Sequence, residues 1–162
     1  MAFAVVVRHD RRTMTFISIT RLRLRAWRFL PQFAFYATRA NVQVRRARGF
    51  VGGELLNDRA WTFWTMTAWN ERADMRGYIA SGAHLTAMPK LLHWCDEASI
   101  VHWEQEGHDL PTWDEADCRM RAEGRASKVR HPTVDHAGLR YRTPRTTGAV
   151  PLVPLVPRQS PE

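Results

Sequence analysis

Hydrophobic and polar positions alternate from Met14 to Leu24. Phe16, Ser18, Thr20, Leu22 and Leu24 fall on one side, and Thr15, Ile17, Ile19, Arg21 and Arg23 on the other. A period of two is that of a strand set between two environments. The folded part is therefore expected to begin at Met14, which is also a candidate natural start. From Leu30 to Val44 the period becomes helical: Leu30, Phe33, Ala34, Ala37, Ala40, Asn41 and Val44 form a stripe, and Pro31 occupies the first turn, where a missing N–H costs little. Gly49 marks the end of that helix. Phe50–Leu56 predicts a second strand, interrupted by Gly52-Gly53 as at a bulge or a close backbone approach. Asn57–Ala60 is a turn. Trp61–Trp69 follows, nine residues with no Gly, Pro or charge, as a strand buried on both faces.

Asn70 offers a side-chain oxygen to cap a helix from Glu71, on which Met75, Tyr78 and Ile79 share one face. Ser81-Gly82 interrupts this helix. His84, Met88, Leu91, Leu92 and Cys95 then continue the apolar stripe, and Pro89 predicts a kink or a restart. Ser99–Gln105 reads as a fourth strand. The order β-α-β-β-α-β predicts an α+β chain with the ferredoxin-like fold, a four-stranded antiparallel sheet covered by helices on one face. The other face carries Ile17 and Ile19, so a second copy is expected against it, giving a homodimer closed into a dimeric α/β barrel. Thr112-Trp113-Asp114-Glu115 is a capping box opening a short C-terminal helix to about Gly124.

Three segments result: an irregular extension over 1–13, a domain over 14–124 and a tail over 125–162. The tail holds six of the nine prolines and is expected to be disordered. Charge follows the same division. The chain carries +8, yet residues 14–124 hold 14 basic and 13 acidic residues, so the excess sits in the ends. A nucleic-acid module carries its basic footprint on the fold itself, and no nucleic-acid partner is expected. The arginines at 39, 45, 46 and 48 suit the C-terminal end of a helix dipole and read first as solvated charges. Two isolated cysteines, Cys95 and Cys118, fit a reducing, cytoplasmic setting. No apolar run is long enough for a membrane span, so no membrane partner is expected.

With these residues in view, the chain resembles the dimeric α/β-barrel superfamily of antibiotic-biosynthesis monooxygenases and small haem-degrading monooxygenases. It is most similar to an uncharacterised bacterial family of that fold at Trp69-Asn70-Glu71, Ser81-Gly82-Ala83-His84 and Gly107-His108-Asp109-Leu110-Pro111-Thr112. Spheroidene-type monooxygenases share a similar helix. The resemblance implies a ligand pocket between sheet and helices, with Trp69 and Thr65 lining it. The positions that serve haem in the haem-degrading members fall here on Thr20, Tyr78 and Met88, all different residue types. No cofactor is expected, with haem the one group the resemblance admits; Met88 would be a soft ligand for it.

His84 and Tyr78 are the candidate catalytic residues, with Thr20, Thr65, Trp69 and Met88 as candidate ligand-binding residues. A buried imidazole is neutral near pH 7 and can accept a proton from a phenolic or enolic substrate. The resulting carbanion reacts with dioxygen. His93, His102 and His108 lack the spacing of a metal motif, and no metal is expected. The expected activity is that of a monooxygenase-like protein acting on an apolar aromatic or polyene substrate. The alternative is a non-catalytic barrel that binds a small hydrophobic molecule or serves as an interaction module.

Overall fold

The computed structural model describes residues 13–155. The expectations for residues 1–12 and 156–162 lie outside the described residues. β1 (Met14–Leu24), α1 (Leu30–Arg45), β2 (Phe50–Asp58), β3 (Thr62–Trp69), α2 (Arg72–Ile79), α3 (Gly82–Trp94), β4 (Cys95–Glu106), α4 (Trp113–Glu123), β5 (Arg125–Ala126) and β6 (Val150–Leu152) follow in order. The sheet order is β5-β4-β1-β3-β2-β6, and every pairing is antiparallel. Its four inner strands are the ferredoxin-like arrangement, with β1 and β3 central. The sheet has six strands where four were expected, because two short strands from the C-terminal segment add to its edges.

β1 begins and ends where its alternation does. The glycine pair of β2 is a bulge, with the register on β3 shifting between Phe50 and Gly52. β4 starts at Cys95, four residues before the expected Ser99. Asp96 and Glu97 look like loop residues, but Arg23 donates to Asp96 at 2.8 and 2.9 Å and Arg21 to Glu97 at 2.8 Å, so both carboxylates are paired within the sheet. Asn70 does not cap α2; Glu71 holds that position, with no side-chain cap. α3 runs through Pro89 without interruption, since the proline and Leu85, whose carbonyl it leaves unbonded, are both exposed to water. Thr112 caps α4 as the box predicts, its hydroxyl accepting from the Glu115 N–H at 3.1 Å.

The C-terminal segment is the largest departure. Residues 125–155 are not a disordered tail but a strap. Ser127 and Thr133 donate backbone N–H groups to the Ala98 and Asp96 carbonyls, and Leu155 donates to Arg45 at 2.7 Å. Leu152 is buried. Strap and α4 together fill the sheet face on which a second copy was expected. Ile17, Ile19, Trp64 and Met66 there are at most 1% exposed within one chain, packed against Trp113, Ala116, Met120 and Tyr141. That face is therefore not the open surface for a partner subunit that the expected barrel dimer requires. Among the described residues no helix is long and apolar enough to cross a membrane.

Met120 is fully buried between α4 and the sheet. Met120→Ala leaves a cavity there and is expected to lower the unfolding free energy by about 2–5 kcal/mol, read as a fall in the urea midpoint. Cys118→Ala, on the exposed side of the same helix, is expected to leave that midpoint unchanged.

Candidate functional site: a cleft under the helical roof

The helix-facing side of the sheet is covered unevenly. One aromatic cluster joins Phe16, Phe50, Trp69 and Met75 to Val44 of α1. A second joins Leu24, Trp94 and Cys95 to Leu22, Phe33, Phe63 and Leu91. Between them the floor is polar. Ser18 and Thr20 on β1 lie directly across from Thr67 and Thr65 on β3, and His102 on β4 lies beside Ser18. Thr20, Thr65, Ile100 and His102 are only half-buried although β1 and β3 are the central strands. Their neighbours on the opposite face, Ile19, Met66 and Val101, are buried. The roof thus packs on the sheet at both ends and leaves a cleft between, floored by hydroxyls where a core would place Val or Leu.

Two side chains set the roof. Gln43 of α1 donates to the carbonyls of Tyr78 and Ser81 at 3.1 and 2.9 Å, and its Oε1 accepts from the His84 N–H at 2.9 Å. This clamp fixes how α3 starts and so where His84 stands. The Tyr78 ring lies between Trp69, stacked at 5.4 Å, and His84 at 4.8 Å. Its hydroxyl donates to the Ala40 carbonyl at 3.3 Å, and burial pushes its pKa up. Burial also holds His84 below the usual histidine value, opposed by a hydrogen bond with the Ile79 backbone. Its Nδ1 is buried and meets no hydrogen-bond partner among the described residues. His102 is depressed too, by burial first and then by Arg125 and Arg72. Both rings are therefore neutral near pH 7.

Of the six residues singled out from sequence, Thr20 and Thr65 face each other at the centre of the floor. His84 and Tyr78 touch in the roof. Trp69 is fully buried, its indole N–H donating to Thr67 at 2.9 Å, and forms a solid end wall rather than an open lining. Met88 is 46% exposed, one turn along α3 from His84, and faces solvent. Ser18, Thr67, His102 and Gln43 were not singled out as site residues. The hydroxyls carry a sequence signal, since Ser18 and Thr20 on β1 and Thr65 and Thr67 on β3 interrupt otherwise apolar stripes, whereas His102 and Gln43 become legible only through strand register and helix contact. His93 packs on Phe29 at the surface and His108 sits near Thr15, so the three histidines weighed together do not converge. Among the described residues no group of three His, Cys, Asp or Glu side chains could hold a metal ion.

No protein-family model matches the chain, and no curated protein matches it. Solved structures do. A conserved protein from Methanosarcina mazei Go1 aligns with a TM-score of 0.51 at 10% identity, covering 57% of this chain and 93% of its own. The NE2512 protein of unknown function from Nitrosomonas europaea aligns at 0.51 and 15% identity, covering 62% and 98%. The fold is shared. SnoaB, a cofactor-independent oxygenase from Streptomyces nogalater, is also among the similar structures, with a TM-score of 0.45, 16% identity and coverage of 59% and 94%.

Two histidines held neutral by burial make stability depend on pH. Their folded pKa values lie below the unfolded value, so the unfolded chain binds more protons on acidification. Stability is expected to be full above about pH 6.5 and to fall as pH drops below it. Urea melts at neutral and mildly acidic pH check this, and His84→Gln should shallow the slope.

Proposed function

We propose that the cleft binds a flat, apolar molecule carrying an acidic O–H or C–H, and that the protein is a small cofactor-independent, monooxygenase-like enzyme. The observation that carries this reading is the hydroxyl floor, Thr20 and Thr65 with Ser18 and Thr67, held open between two aromatic clusters. Thr20 and Thr65 keep their hydroxyls half-exposed at the centre of the sheet, where a ligand can bond them. Aromatic ends and a polar centre suit a planar ring system bearing oxygen substituents.

In this reading His84 is the base. The imidazole, held neutral by burial, accepts the substrate proton. The carbanion supplies the electrons that reduce dioxygen: one oxygen atom replaces two substrate hydrogens as a carbonyl and the other leaves as water. Tyr78 positions the imidazole, Trp69 closes one end of the cleft, and Met88 stands on the solvent side of the roof. Haem does not suit this arrangement. Thr20 supplies no amide donor, Met88 faces solvent, and the His84 ring is pressed against Tyr78.

A second reading, passive binding of a small hydrophobic molecule, is favoured by one observation. The Tyr78 hydroxyl is spent on the Ala40 carbonyl, leaving His84 without a second protic group from Tyr78. Oxygen uptake with anthrone and a panel of quinols separates the two. The enzyme reading expects one dioxygen consumed per substrate and a loss of about 10²–10⁴ in rate for His84→Ala, with no shift of the haemin absorption band when the protein is added. Binding without uptake, read from tryptophan quenching, would leave the passive reading in its place.

A further inference from the structure

A second concavity lies outside the cleft, on the outer side of the helical layer. It is a groove of about 730 Å³ between α1 and α2, within the roughly 300–1,000 Å³ of small-molecule sites. Val42, Ala47, Ala73, Gly77 and Ala83 give its wall an apolar stretch beside Thr38, Asp74 and Ser81, and Gln43 and Tyr78 of the roof line it as well. Arg39, Arg46 and Arg48 stand on its rim. Arg48 approaches Asp74 at 3.8 Å, whereas Arg39 and Arg46 meet no carboxylate among the described residues. No acidic residue occurs in α1.

Gly77 is the telling residue. It sits inside α2, where glycine is less stable than alanine. A Cβ built there meets nothing within 4 Å, so no packing demands the glycine. What its missing side chain leaves is the groove itself.

We propose that this groove binds an organic anion with an apolar body, a fatty carboxylate in chemical class. The chain lies along the small-residue wall, and the carboxylate is taken by the guanidinium groups of Arg39 and Arg46, whose donors fit a carboxylate in pairs. The groove shares Gln43 and Tyr78 with the roof over the proposed oxygenation site but takes its ligand on the Arg39 and Arg46 side.

Isothermal titration of the full chain with sodium dodecanoate, below its micelle concentration, tests the proposal. One equivalent is expected to bind, and dodecyltrimethylammonium is expected to bind at least about tenfold more weakly. Gly77→Leu, which has space to fold, should weaken dodecanoate tenfold or more, while Gly77→Ala retains it. Arg39→Glu with Arg46→Glu should act as Gly77→Leu does. No heat with the unaltered chain, equal binding of the cation, or undiminished binding by Gly77→Leu would each overturn it. A loss with Thr20→Phe in place of Gly77→Leu would move the anion into the cleft, overturning the groove and leaving the oxygenase reading intact.

Discussion

The architecture depends on α4 and the strap lying across the sheet. Without them Ile17, Ile19, Trp64 and Met66 would form a broad apolar face in water, a surface that water penalises at about 25 cal/mol per Å². The same covering buries the pair Arg21–Glu97, with Tyr141 laid over the guanidinium at 4.2 Å. A buried pair contributes less than its contact suggests, because both charges lose their hydration. Arg23, opposite Glu97 in the register of β1 on β4, reaches the same carboxylate at 3.2 Å, so Glu97 ties the two strands together through two arginines.

With one face sealed in this way, solvent reaches the sheet's interior residues from the helix side, and there the cover is incomplete. α1, α2 and α3 rest on aromatic clusters at the two ends. The hydroxyl floor between them is what keeps the middle from collapsing into a third cluster, since Thr and Ser gain little from apolar contact. Fold likeness to other ferredoxin-like proteins shows this scaffold and no more. The chemistry rests on the residues that occupy the gap.

Much of the scaffold was legible because it obeys short periods. β1 shows its two faces in eleven residues, and the capping box at Thr112 marks the start of α4 to the residue. The start of β4 was hidden because Asp96 and Glu97 oppose strand propensity locally, and only their arginine partners, more than seventy residues away, reverse that. The strap was hidden for another reason. Its anchors, His136, which accepts from the Ala98 N–H, Tyr141 and Leu152, are single residues at irregular spacing in a proline-rich, basic stretch, so no period betrays them. In the site, Thr20 and Thr65 were readable as polar interruptions. The opposition of His102 to Ser18 was not, because cross-strand register is a property of the pairing and not of either strand.

The two shortest strands carry a consequence of their own. β2 and β4 would otherwise end the sheet with a row of free backbone groups, the kind of border on which another chain can nucleate a fibril. β6 occupies one border and brings Pro151 opposite Glu54, while the two residues of β5 occupy part of the other. A proline cannot donate to a further strand. The strap therefore also works as a selvedge, finishing the sheet against endless extension.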